Sequence, residues 1–332
     1  MQPVRIKLVT KKCGTGEAPF LYAGKYLFIH DMACREYDWL AVYDELPDRD
    51  AGTFRNGREP LACPRSRTIL MTCEPVSIKD YGRFYPRQFG TVLTNQPLSV
   101  FPGCRTVLGQ GYYKWFYGKG YDETAAQPPV PKTRTISVVC SSKQQRHTAH
   151  HDRFSLIRRL SETIPELEWF GHGVRRIDRK FDALDPFKYH IAVENHLAPH
   201  HWTEKIADAL LARCLPFYTG DPLLGTVLPK ESFIPIPLDD PDEAAAIIRG
   251  AITADAFTQR REAIEAARRL LLERYNLWAQ VAAVIETAPQ TGDAPGGELL
   301  SRHELRKNPR VALSDAWRRA VRFFRHEKDG QP

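Results

Sequence analysis

The chain has 332 residues, 42% of them hydrophobic and 26% charged, ordinary for a globular protein and long enough for two cores. No apolar run reaches the roughly 18 residues of a membrane-spanning helix, and the amino terminus has no apolar stretch of the secretory kind. The net charge is +7, but residues 299–332 hold nine Lys/Arg against four Asp/Glu, so the body lacks the basic excess of a nucleic-acid-binding surface.

Strands dominate the first part of the chain. Val4 to Val9 alternates as a strand with one buried face does, and Trp39–Tyr43, Thr68–Thr72 and Phe89–Thr94 follow as further strands. Gly/Pro/Arg-rich loops such as Asp48–Arg67 separate them. The seven cysteines, Cys13, Cys34, Cys63, Cys73, Cys104, Cys140 and Cys214, form no CxxC pair, and their odd number argues against a complete disulfide framework. They read as reduced thiols in a cytoplasmic protein, not as a metal site.

The segment 122–134, with Pro128, Pro129 and Pro131, is a linker: these prolines extend neither a helix nor a central strand. The predicted division is an amino-terminal domain 1–127, a carboxyl-terminal domain 133–288 and a basic tail 289–332. The second domain opens on a buried strand, Thr135–Cys140. A helix from Arg153 to Ile164 puts Phe154, Ile157, Leu160 and Ile164 on one face, and Leu167–Gly171 is the next strand. This alternation predicts a parallel sheet.

The most informative stretch is 187–216. Tyr189–Val193 has the length and β-branching of a buried strand and ends on Glu194, Asn195 and His196. After a Pro-containing loop, Thr203 is placed to cap a helix bearing Ile206, Ala209, Leu210 and Cys214 on one face. Leu215–Thr219 then returns to the sheet. Polar residues at the end of a strand and the start of a helix are where open α/β sheets bind ligands, and helix amino ends suit phosphates. Two readings remain at this point, a nucleotide or phosphate site and a core βαβ unit with a solvated rim.

Two helices follow, Glu243–Ile252 and one from Ala256 to Tyr275 continuing towards Ile285; residues 290–297 are flexible by composition. In the tail, Trp317, Ala320, Val321 and Phe324 share a helical face, with Arg318, Arg319, Arg322 and Arg325 off it. This is the pattern of a helix lying on an anionic membrane surface, dispensable for chemistry from Leu299 onward; the alternative is a basic helix docked on its own protein.

Val193-Glu194-Asn195, then 203–222 (TEKIADALLARCLPFYTGDP) and 228–236 (LPKESFIPI) resemble, in this order, the donor-site signature of glycosyltransferase family 10, the α1,3/4-fucosyltransferases. The likeness spans about residues 186–248. It implies an α/β protein of two Rossmann-like domains facing each other across a cleft, the GT-B arrangement. The amino-terminal domain would take a GlcNAc- or glucose-containing glycan and the carboxyl-terminal domain GDP-β-L-fucose. Transfer would be a single displacement with inversion, with no cofactor required. It would serve lipopolysaccharide or other surface-glycan synthesis, at the inner face of the cytoplasmic membrane.

The same resemblance assigns residues. Lys205 and Arg153 (in His150-His151-Asp152-Arg153-Phe154) would bind the diphosphate, Glu204 the ribose, and Asn195 would lie near the donor. Glu194 matches as well, with no role assigned. His201 stands where the family often has an aromatic residue and would stack on base or sugar. Glu74 would be the catalytic base, in Met71-Thr72-Cys73-Glu74, where Met and Cys replace the family's Tyr and Gly. No metal is expected: His196 and His200 span a Pro-containing loop instead of a helix face, and Asp48-Arg49-Asp50 reads as a turn. The alternatives are a related transferase using another nucleotide sugar and a non-enzymatic module that binds membrane or nucleic acid.

Overall fold

The computed structural model describes residues 2–11, 18–76, 78–109, 115, 117–141, 150–289 and 291–329, with backbone alone at 150, 319 and 322–329. The first eight strands are β1 (Val4–Thr10), β2 (Phe20–Tyr22), β3 (Tyr26–Ile29), β4 (Trp39–Tyr43), β5 (Arg58–Pro60), β6 (Thr68–Met71), β7 (Thr91–Thr94) and β8 (Thr106–Leu108). Then come α1 (Tyr121–Ala126), β9 (Arg134–Val139), α2 (His150–Thr163), β10 (Leu167–Phe170), β11 (Phe187–Val193), α3 (Glu204–Leu211), β12 (Leu215–Thr219) and β13 (Ile234–Pro235). The chain continues through α4 (Pro241–Thr253), α5 (Ala256–Gln259), α6 (Arg261–Glu273), α7 (Leu277–Thr287), β14 (Glu298–Leu300), α8 (Arg302–Leu305) and α9 (Pro309–Asp329).

These elements form two compact units, Met1–Tyr113 with Leu277–Pro332, and Lys114–Asn276. In the first unit seven strands lie in the order β2-β3-β1-β4-β6-β7-β8, all parallel except β2 against β3. Leu40, Ala41, Val42, Ile69, Leu70 and Met71 are all fully buried, as central parallel strands covered on both faces require. One face packs Val9, Leu40, Val42, Leu70 and Val92 with Tyr81 and Tyr85; the other packs Ile6, Leu8, Phe28, Ile69 and Leu93 against α7.

The structure divides the chain at other places than the composition suggests. The apolar spacing runs on past Tyr275, but the helix breaks at 274–276 and α7 begins anew. Leu277, Val281 and Val284 of α7 are buried among the strands of the first unit, so this helix leaves the segment it follows in sequence. Residues 298–305 are not a separable tail. β14 pairs antiparallel with β5, and Leu299 is fully buried among Phe54, Leu61 and Leu70. β5 is fixed from its other side by Lys7, whose ammonium donates to the fully buried Glu59 at 2.9 Å. A chain cut near Gly297 therefore loses a strand and a core leucine.

Further on, α9 docks through Arg318, which donates to both oxygens of Asp80 at 3.1 Å, and through Arg306 to the buried Asp315 at 2.8 Å. Leu313 and Trp317, one turn apart, stay 70% and 72% exposed. Phe324 lies outside the described side chains. No helix of the described residues is long and apolar enough to cross a membrane.

The second unit is a five-stranded parallel sheet, β10-β9-β11-β12-β13. In chain order this is the 2-1-3-4-5 arrangement of doubly wound folds. From β9 the chain moves outward to β10 through α2; from β11 it moves the opposite way to β12 through α3. Because such crossovers are right-handed, the two helices cover opposite faces. The carboxyl ends of β9 and β11 thus form the switch point, where loops diverge and leave a crevice.

Candidate functional site

The crevice is built from local decisions at both strand ends. Thr203 has an extended backbone and caps α3, its Oγ1 accepting from the Lys205 amide at 3.3 Å. Glu194, the first residue past β11, is fully buried and holds this cap. Its carboxylate accepts from the Thr203 amide at 2.8 Å and from the Thr203 hydroxyl at 2.6 Å. Glu194 Oε2 also lies 3.2 Å from the Lys205 ammonium, which reaches Glu204 Oε1 at 3.3 Å. A strand end and the first turn of the next helix are thereby locked into one charged cluster.

Burial pushes the Glu194 carboxyl above its ordinary range, against the pull of Lys205. Burial likewise works against the Lys205 ammonium, but the carboxylates of Glu194 and Glu204 outweigh it and raise Lys205 above the usual lysine value. Burial would raise Glu204 too; Lys205 and then Lys180 overcome it and hold this carboxyl low. Glu204 and Lys205 are therefore both charged at neutral pH, a carboxylate and an ammonium side by side at a helix amino end.

Arg153 comes from the opposite side of the sheet, in the first turn of α2. It is 7% exposed, and its Nη1 donates to Asn195 Oδ1 across the switch point. The structure thus brings Arg153, Glu194, Asn195, Glu204 and Lys205 together at the edge of one sheet. Arg153, Lys180 and Lys205 line a crevice of about 10 Å³ with Val138–Cys140 and Ile191–Val193.

His201 is placed differently from a stacking platform. It is 6% exposed, with its ring edge-on to His196 at 5.4 Å, and burial lowers it to about 4, so the imidazole is neutral. Among the described residues no group of three or more His, Cys, Asp or Glu side chains is arranged to hold a metal ion.

A larger cavity of about 790 Å³ lies beyond the ends of β12 and β13, lined by Asp152, Leu197, Tyr218, Asp221, Phe233 and Ile236 among others. It has the size and mixed lining of a small-molecule pocket. Asp221 is buried there; its Oδ1 accepts from the His200 and Leu223 amides at 3.0 and 2.8 Å.

Glu74 belongs to the first unit. It is exposed, three residues past the end of β6. The turn carrying it is pinned by main-chain contacts: the Glu74 carbonyl accepts from Gln96 Nε2 at 2.5 Å, and the Cys73 amide donates to the Tyr81 hydroxyl at 3.1 Å. Tyr81 in turn donates to Asp44 at 2.5 Å.

Sequence reasoning overlooked Lys180 and Asp208, which meet at 2.7 Å. Asp208 did leave a signal, an acid inside the run Ile206–Leu211, where every residue is buried. Lys180 left none, being one basic residue in a stretch containing Arg175, Arg176 and Arg179.

Residues 130–249 match the family model described as glycosyltransferase family 10 (fucosyltransferase) C-term. No curated protein matches the chain. Among solved structures it is similar to an α1,3-fucosyltransferase with GDP-fucose, at 16% identity over 82% of this chain and 92% of that one, with a TM-score of 0.48. A glycosyltransferase from Rickettsia africae ESF-5 is similar at 11% identity over 75% and 76% of the two chains, TM-score 0.45. A sucrose-phosphate synthase from Thermosynechococcus elongatus follows at 12% identity over 84% and 87%, TM-score 0.42.

Proposed function

We propose, on the match of residues 130–249 to the glycosyltransferase family 10 (fucosyltransferase) carboxyl-terminal model, that the chain is a fucosyltransferase-like glycosyltransferase that transfers L-fucose from GDP-β-L-fucose, with inversion, to a hydroxyl of a GlcNAc- or glucose-containing glycan. The observation that carries this reading is the crevice at the switch point of the second unit. The first turns of α2 and α3 bring Arg153 and Lys205 to its wall for a diphosphate, with a charged Glu204 paired to Lys205.

In this reading the diphosphate lies against Arg153, Lys205 and the amino end of α3, which stabilise the negative charge that grows as the glycosidic bond breaks. Glu204 accepts from the ribose hydroxyls, the one part of a nucleotide that rewards a carboxylate at this place. Asn195, oriented by Arg153, sits at the rim where donor and crevice meet. Glu74 of the first unit takes the acceptor proton as the hydroxyl attacks the anomeric carbon. The transition state has oxocarbenium character, as glycosyl transfer does generally. The role of Glu74 rests on the family resemblance.

The test is a panel of nucleotide sugars with calorimetric titration of GDP. Turnover or hydrolysis of GDP-fucose alone is expected, and Lys205→Ala should weaken GDP about tenfold or more, the cost of a lost charge-assisted contact of roughly 1.5–3 kcal/mol. Preference for another nucleotide sugar would move the donor assignment; unchanged GDP affinity in both Lys205→Ala and Arg153→Ala would remove the site.

The exposed pair Leu313 and Trp317 on the basic helix α9 supports attachment to an anionic bilayer at the cytoplasmic face, consistent with a surface-glycan acceptor. The protein should sediment with anionic liposomes at low salt, and Leu313→Ser/Trp317→Ser should not. A wild type that ignores the liposomes leaves α9 as a docked helix only.

A further inference from the structure

Lys180 has no part in the site as proposed, yet it lines the same crevice. It stands at the start of the short 3-10 turn Lys180–Ala183, which leads into β11, so it arrives from a third element besides α2 and α3. Its ammonium donates to Asp208 Oδ2 at 2.7 Å, with the two side chains 15% and 0% exposed. The other oxygen, Asp208 Oδ1, is buried with no hydrogen-bond partner among the described residues.

An acid buried in this way is costly. Desolvating a carboxylate outweighs what one ion pair returns unless every lone pair is met, and an apolar side chain in the middle of α3 would pack without that penalty. Stability therefore does not explain the pair. What it does accomplish is placement. Asp208 occupies one of the three donors of the Lys180 ammonium and anchors the other end of a long, otherwise mobile side chain; among the described residues no other hydrogen bond engages that ammonium.

The surroundings favour an anion there. Lys205 faces two carboxylates, Glu194 at 3.2 Å and Glu204 at 3.3 Å, so most of its charge is balanced before any ligand arrives. Lys180 is near enough to act with Lys205 in holding the Glu204 carboxyl low. His190, on the same wall, is kept neutral by burial and then by Lys180 and Lys132, and its Nδ1 is bonded to Ser137 at 2.8 Å.

From this geometry we infer that Lys180 is a third diphosphate-binding cation of the donor site, and that Asp208 is the residue that positions it. The inference rests on the donor-site reading above and extends it to a residue outside the motif. A diphosphate seated between Arg153 and Lys205 fills the mouth of the crevice, and the ammonium of Lys180 supplies charge from behind, where water has little room.

The experiment is titration of GDP and of guanosine into wild type, Lys180→Gln and Asp208→Asn. Lys180→Gln should weaken GDP by about tenfold or more and leave guanosine within about twofold, because only the phosphates meet the lysine. Asp208→Asn should act in the same direction, with Lys180 present but no longer held by a charge. Wild-type GDP affinity in Lys180→Gln overturns the inference and leaves the donor site intact. Equal losses for GDP and guanosine overturn it too, since they mark a structural role. Should Lys180→Gln fail to fold, Asp208→Asn decides by the same two ligands. A wild type that binds no GDP overturns the donor-site reading itself.

Discussion

Glu74→Gln is expected to lower the rate constant for transfer by about 10²–10⁴, the loss typical of a removed general base, while GDP affinity stays within about twofold. The separation follows from where the residue sits. Glu74 is in the first unit, and every nucleotide-binding residue proposed is in the second. The amide isostere keeps the shape of the side chain and leaves in place the main-chain contacts of the turn, at the Glu74 carbonyl and the Cys73 amide. A glutamate of purely structural value would show another pattern, with thermal stability, binding and turnover falling together. Transfer within threefold of wild type, in a well-folded Glu74→Gln protein, would retire the residue as base and leave the donor site standing.

Glu194→Ala should be the most destabilising change at the site, by about 3–5 kcal/mol, the range found when one partner of a buried ion pair is removed. Three groups lose their acceptor at once: the Thr203 amide, the Thr203 hydroxyl and the Lys205 ammonium. The cap of α3 loosens and Lys205 is left without its buried counter-charge, so GDP affinity should fall about tenfold or more alongside stability. Glu194→Gln preserves shape and one acceptor, and should fall between wild type and Glu194→Ala. Urea unfolding gives the readout, as a lower midpoint at unchanged slope. An alanine variant with the wild-type midpoint would show that Glu194 anchors neither the cap nor the lysine.

Much of the candidate site was legible because it is local. Glu194, Asn195, Thr203, Glu204 and Lys205 lie within a dozen residues on one β-loop-α segment, and strand period, cap residue and helix period together place them at one sheet edge. The strands β1, β4, β6 and β7 were visible for a similar reason: their β-branched and apolar runs carry their own signal. The three-residue strands β2, β5 and β8 carry too few residues to show a period. β5 exists because β14 pairs with it from the far end of the chain.

Other features were decided by packing alone. The apolar stripe of α7 reads as a continuation of α6; it belongs to the first unit because Ile6, Leu8 and Phe28 offer it a face to cover. Arg153 meets Asn195 from 42 residues away, and Lys180 meets Asp208 from 28, each across an intervening element whose course no local pattern records. Periodicity states which face of a segment avoids water, but not which partner covers it. That choice depends on strand order and crossover direction, and these are settled only when distant segments compete for the same buried surface.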